Sequence, residues 1–277
     1  MRRLISALLL AIIALPAAAQ TAPTRRQIEA PAGAAWVHQR SGVALPARIG
    51  DFPRAVIVEN TPGEVDVLAQ YEDAATRVTV ILFRPQQNDV GYWFDRAELA
   101  LNANPMLVGL TPTTPDPLRF ATAISPSASA LRRSYSSTGR WKATGTALIP
   151  AGRWLVKIRA SSSSLDAAAI DGLLDAAIAV IRLPADAPAS PDARVVQPCA
   201  ESVAWQQATA IATSTAEAME SSVGVTMTSL AAADVSGHPP VGLAAPGLCR
   251  DATPLEFGNV YRVPEEADRY WIGFFFF

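Results

Sequence analysis

The stretch from Arg153 to Pro184 constrains this chain most, because its apolar period switches from two residues to about 3.6 across a single serine-rich turn. From Arg153 to Ala160 the side chains alternate. Trp154, Val156, Ile158 and Ala160 share one face, and Arg153, Leu155, Lys157 and Arg159 share the other, which predicts a half-buried strand. Ser161 to Ser164 break the alternation. Ser163 offers an N-cap hydroxyl, and Asp166 three residues later places a carboxylate near the positive end of a helix dipole. Ile170, Leu173, Leu174, Ala177, Ile178 and Ile181 then recur at three- and four-residue steps, and Pro184 predicts a helix end near Leu183. Burying the helix's Leu and Ile residues on the Trp154/Val156/Ile158 face is worth at most about 10 kcal/mol, so this contact is the predicted core.

The compartment is read from the N-terminus. Met1-Arg2-Arg3, the apolar run Leu4 to Leu15, Pro16 and the small residues before Gln20 predict a secretory signal peptide over 1–19, cleaved between Ala19 and Gln20. The apolar run is shorter than the roughly 20 residues that span a bilayer, so a periplasmic or secreted chain without a transmembrane segment is expected after signal removal. Signal removal takes two arginines from the 23 basic residues and leaves 25 acidic ones, a net charge near −4 that argues against nucleic acid as a partner. Cys199 and Cys249 suit an oxidising compartment and are expected to form a disulfide, with a pair of free thiols as the alternative.

Residues 20–35 are polar and aperiodic and read as a disordered leader. Strands are predicted over Ala55 to Asn60, Glu64 to Tyr71, Arg77 to Arg84, Ala130 to Ser136 and Arg140 to Leu148. Arg77 to Arg84 is apolar enough for a central strand covered on both faces. Asn88-Asp89 caps a helix carrying Val90, Phe94, Ala97 and Leu101, and Pro105 to Pro126 reads as a long surface loop suited to docking a partner. In the last hairpin the sizes of facing residues favour Leu148 opposite Arg153, which sets Lys142 across from Arg159; a glycine-bulge turn would instead turn Thr144 and Thr146 to the buried face.

Residues 185–198 are proline-rich and read as a linker to a smaller α+β C-terminal part, 199–277, with a helix about Trp205 to Met219 and a final hairpin, Phe257 to Val263 with Arg269 to Phe275. The chain stops in four phenylalanines, and the expectation is that the sequence breaks off in mid-strand, truncating this part. The fold class expected is α+β: a mostly antiparallel sheet flanked by helices, an α/β/α sandwich over 36–184.

Three segments carry a resemblance: Leu45-Pro46-Ala47-Arg48-Ile49-Gly50-Asp51-Phe52, Thr76 to Phe83, and Trp154-Leu155-Val156-Lys157-Ile158-Arg159. With the order hairpin, strand, helix, loop, hairpin, helix, residues 36–184 resemble the PsbP-like α/β/α domains and are similar to uncharacterised exported proteobacterial proteins. The resemblance implies a binding or accessory role, with no catalytic residue to carry over.

The residues themselves offer little catalytic chemistry. His38 and His238 are the only histidines, and neither accompanies a nucleophile motif or a metal-ligand spacing. Carboxylates cluster at Glu72-Asp73, at Glu217 and Glu220, and at Glu265, Glu266 and Asp268, mostly in predicted turns. No catalytic, cofactor-binding or metal-binding residue is assigned, and no cofactor is expected. The stripe Lys142, Lys157 and Arg159 is the candidate contact for an anionic partner. The function expected is therefore an exported non-catalytic accessory or binding protein whose partner is a protein or an anionic envelope component. A small periplasmic hydrolase using a carboxylate pair is the alternative.

Overall fold

The computed structural model describes residues 25–61, 63–85, 88–200, 248–255, 258–263 and 266–274, and beyond residue 247 it describes side chains only at 248–250 and Tyr261. In chain order the elements are β1 (Arg26–Ile28), β2 (Trp36–Val37), β3 (Ala44–Leu45), β4 (Arg48–Ile49), β5 (Phe52–Thr61), β6 (Asp66–Glu72), β7 (Thr76–Phe83) and α1 (Val90–Asn102). Then come β8 (Thr111–Pro112), β9 (Leu118–Thr122), β10 (Ser125–Ser136), β11 (Ala143–Ala151), β12 (Trp154–Ser162), α2 (Ala167–Val180) and β13 (Gln197–Pro198). The C-terminal part adds β14 (Cys249–Leu255), β15 (Gly258–Val263) and β16 (Glu266–Phe274).

Ten strands form one antiparallel sheet in the order β1-β5-β6-β7-β12-β11-β10-β8, with β4 beside β5 and β9 beside β10. Two meanders, β5-β6-β7 and β10-β11-β12, join where β7 pairs with β12. The connection through α1 carries the chain across the sheet between them, and α1 packs on β10 and β11. With its two helices, the described chain is α+β.

Neighbouring residues of β10 reach different helices. Arg133 donates to Glu98 of α1 at 3.1 Å and Tyr135 also donates to Glu98, whereas Ser134 donates to Asp171 of α2 at 3.1 Å and Arg132 pairs with Asp175. Successive strand residues point to opposite faces, so α1 and α2 lie on opposite faces of the sheet. On the α2 side, Val156, Ile158 and Ala160 are fully shielded, Trp154 is nearly so, and Ile170, Leu174 and Ala177 are buried against them. The strand-to-helix core thus forms as the alternation predicts. Gly145, paired with Ala160, is where the helix comes closest: a Cβ there would stand 2.8 Å from Ile170 and 2.9 Å from Leu174.

Several boundaries differ from expectation. Asp166, not Ser163, caps α2, accepting from the amide of Ala169 at 2.8 Å, and the helix ends at Val180 because Arg182 exchanges backbone bonds with Ala44. The β11–β12 turn is Gly152-Arg153 rather than the segment after Leu148, so Ala151 faces Trp154, Ala147 faces Ile158 and Thr146 faces Arg159. Pro150 continues β11 because it lies beyond Leu148, the last residue paired to β10, where a missing amide hydrogen is tolerated. Gly152 takes φ +64°, the left-handed conformation a tight hairpin turn needs. Thr144 and Thr146 lie on the α1 side, as the favoured register requires, yet both are buried there.

Strand β7 is fully covered on one face only: Val78, Val80 and Leu82 are buried, while Arg77 is exposed and Thr79 and Ile81 are half-buried. Part of the expected disordered leader is ordered, since β1 pairs with β5 from Arg26 opposite Glu59 to Ile28 opposite Ile57. The stretch Pro105 to Pro126 is not all loop, because β8 and β9 both pair with β10. The segment 185–196 has no strand or helix of its own but lies along the larger unit: Ala193 donates to Ala128 at 2.9 Å and the carboxylate of Asp192 accepts from Ala128 at 2.8 Å.

In the C-terminal part β13, β14, β15 and β16 make a second sheet, and its last hairpin pairs Gly258 with Phe274. The expected helix from Trp205 to Met219, the signal peptide with Ala19 and Gln20, and the final three phenylalanines lie outside the described residues.

Candidate anion-binding face

Of the predicted stripe, the fold keeps Lys157 and Arg159 together and sends Lys142 elsewhere. Lys157 sits between Ile81 of β7 and Leu148 of β11, and Arg159 between Thr79 and Thr146. The rows continue onto β6 as Leu68 and Gln70, so the floor around the two cations mixes aliphatic and amide side chains. Lys142 precedes β11, is exposed, and donates its amide to Ser162 at 2.8 Å; it does not face Arg159.

The α1 side of the sheet is covered unevenly, and that unevenness makes the site. Thr144, Thr146 and Leu148 on β11 are buried, whereas Leu68 and Gln70 on β6 and Thr79 and Ile81 on β7 are half-buried. Lys157 and Arg159 occupy the boundary on β12, half-buried, and neither side chain makes a hydrogen bond or ion pair among the described residues. Burial holds the Lys157 ammonium down at about 8; Asp66 works against that shift, and Arg159 and Arg96 add to it. Arg159 is likewise lowered, by burial and then by Arg77. Two cations on one partly desolvated face cost free energy that an arriving anion recovers.

The surroundings of the two cations are of mixed character. Asp66 is the nearby acid; burial raises its pKa, opposed by the amide of Asn60, which donates to it at 3.1 Å, and then by Lys157. Helix α1 contributes Trp93, edge-on to Phe83 with ring centroids 5.1 Å apart, and Arg96, whose guanidinium lies over the Tyr92 and Trp93 rings and donates to the Tyr92 hydroxyl at 2.9 Å. Asp66, Trp93 and Arg96 escape sequence reasoning because they come from β6 and α1, remote in sequence from β12. The one sequence signal that touches them is the four-residue spacing of Tyr92 and Arg96 on a predicted helix.

Next to Arg96 on the same helix, Asp95 fastens the C-terminal part. It accepts from the hydroxyl of Tyr261 at 2.8 Å and pairs with Arg250, and burial raises its pKa to about 6 against the pull of Arg250. Tyr92, Tyr261 and Leu248 pack around this contact. Cys199 and Cys249 are joined in a disulfide, as expected, and Cys199 donates its amide to Arg250 at 2.8 Å.

The remaining candidates serve structure. His38 is fully buried, with Ser41 Oγ 2.7 Å from Nδ1 and the carbonyl of Glu64 2.9 Å from Nε2, and its ring meets Trp154 edge-on at 4.7 Å. The Ser41 amide also donates to Nδ1, at 3.1 Å, which makes Nδ1 the acceptor and leaves Nε2–H to donate to Glu64. This arrangement locks the β2–β3 hairpin to the turn before β6. Glu72 is ion-paired with Arg77 and Asp73 accepts the amides of Ala75 and Thr76, so this carboxylate cluster is spent on a hairpin. His238, Glu217, Glu220 and Glu265, and the side chains of Glu266 and Asp268, lie outside the described residues. An open groove of about 530 Å³ between β1 and β4 is lined by Ile28, Ala30, Pro53 and Val56, with Arg54 held by the carbonyls of Pro31 and Pro46.

No family model, curated protein or solved structure matches the chain.

Proposed function

We propose that the chain is an exported, non-catalytic binding protein built on an α/β/α sandwich of the PsbP-like kind, and that its ligand is an anionic component of the cell envelope received on the β6-β7-β12 face. The observation that carries this reading is the pair Lys157 and Arg159, adjacent on one face of a central strand, half-buried and without an ion-pair partner among the described residues. A surface protein gains nothing from desolvating two like charges side by side. A binding protein does, because the ligand's charge finds donors already in place and less ordering remains to be done. Trp93 and Ile81 give the face an apolar flank, so an anion with an organic body fits better than a bare ion.

Titration calorimetry of the mature chain with citrate and with inorganic phosphate at low ionic strength tests this. Saturable binding is expected, falling by about tenfold to a hundredfold in Lys157→Glu/Arg159→Glu, the loss of one or two charge-assisted contacts. Binding that survives the charge reversal would dispose of the assignment.

A further inference from the structure

We infer that the end of the sheet formed by the α1–β8 and β10–β11 connections docks on the surface of an anionic lipid bilayer, with Met106, Val108 and Trp141 entering the interface and Arg140 and Lys142 meeting the headgroups.

The two connections are bound into one structure. Thr138 donates its amide to Val108 at 2.8 Å, Val108 donates to the Ser137 hydroxyl at 3.1 Å, and Trp141 donates to Met106 at 3.4 Å. Gly139 permits the approach, since a Cβ there would stand 2.6 Å from the Met106 carbonyl oxygen. Leu107 is buried with Leu101 and Tyr135, and Trp141 packs on that cluster from its edge. With Leu107 pinned inward, its neighbours are held outward: Met106 is 41% exposed and Val108 53%. These apolar side chains are thus presented on a braced scaffold, and ordering them on a surface costs little.

Charge selects the partner. Arg140 and Lys142 are exposed on either side of Trp141, and the Arg140 guanidinium lies 5.9 Å from the Trp141 ring. The two connections, 103–110 and 137–142, carry Arg140 and Lys142 and no Asp or Glu, although the whole chain is net negative. A net-acidic protein approaches an anionic bilayer by a patch that carries cations and no acid of its own. Trp beside cations, with small apolar side chains at the tip, is the composition of an interfacial anchor. A specific protein partner would need about 800 Å² of complementary surface on each side, far more than two exposed apolar side chains supply. This inference stands apart from the Lys157 face and uses none of its residues.

Vesicle co-sedimentation of the mature chain tests it. Binding is expected to vesicles of equal parts phosphatidylglycerol and phosphatidylcholine, and to fall by about tenfold or more on phosphatidylcholine alone, in high salt, and in Arg140→Glu/Lys142→Glu. Met106→Ser/Val108→Ser should weaken it to a similar extent at low salt. The four altered side chains are exposed, and the salt series on the unaltered chain needs no variant. Absence of binding to anionic vesicles, binding indifferent to salt, binding unchanged in both variants, or binding lost through Lys157→Glu/Arg159→Glu instead would each overturn the inference.

Discussion

The hydroxyl of Tyr261 donates to the carboxylate of Asp95 at 2.8 Å, and this bond, with Arg250, fastens the disulfide-linked C-terminal sheet to the helix that walls the candidate site. Tyr261→Phe leaves the Asp95 carboxylate one donor short while keeping the ring against Tyr92, so a loss of about 1–3 kcal/mol is expected. Hydrogen exchange of β14 and β15 checks it: protection there should drop while that of β11 and β12 holds.

The pH dependence of the same contact has a definite sign. Because burial raises the folded-state pKa of Asp95 to about 6 from an ordinary 3.8, its favourable contribution is fully present below pH 3.8 and is lost as pH rises through 6. Asp95→Asn removes the titration. The stability difference between the parent and Asp95→Asn, measured by denaturant unfolding across pH 4 to 7, should therefore move against the parent as pH rises.

His38 works in the opposite direction. Burial lowers its pKa below the ordinary 6.5, so the neutral ring's contribution is complete above pH 6.5 and is lost as pH falls below that value. The β2–β3 hairpin should loosen first, seen as earlier exchange at Val43 and Ala44. A flat stability profile from pH 7 to 5 once the Asp95 contribution is removed by Asp95→Asn would contradict this.

Two glycine-specific forces compete at Gly91. Alanine would favour the helix by about 1 kcal/mol, but its Cβ would stand 2.1 Å from the carbonyl oxygen of Arg194, a backbone atom with little freedom to retreat. Steric overlap of that kind costs about 1–3 kcal/mol, so Gly91→Ala should destabilise on balance and free residues 190–196 for proteolysis.

Core truncation calibrates the rest. Ile158 is fully buried against α2, and Ile158→Ala should cost about 2–5 kcal/mol in chemical denaturation.

How far this fold can be read from sequence is clear from particular residues. The apolar stripes of Val90, Phe94, Ala97 and Leu101 and of Ile170, Leu173, Leu174 and Ala177 locate both helices and their buried faces, because helical period and burial are local properties. The face of each β12 residue is equally legible from alternation. The β11–β12 register is not, because Pro150 reads as a stop while strand order gives it a position where it is harmless. Lys157 and Arg159 are identifiable as neighbours on one face, yet whether that face is wet depends on where α1 ends its cover, a tertiary property. The charged neighbours Asp66 and Arg96 and the anchor Asp95–Tyr261 arise from sequence separations that no local pattern encodes.

Lys142 and Lys157 are the only lysines in the chain, so a sample carrying labelled lysine gives two side-chain NMR signals, one from the proposed face and one from outside it. The most direct measurement follows the Lys157 signal through a pH titration, first without and then with saturating citrate or phosphate. The predicted result is a midpoint near 8 in the free protein that moves upward when the anion is bound, because a paired ammonium holds its proton more tightly. A Lys157 midpoint near the ordinary 10.5 in the free protein, or one that neither anion moves, would contradict the account.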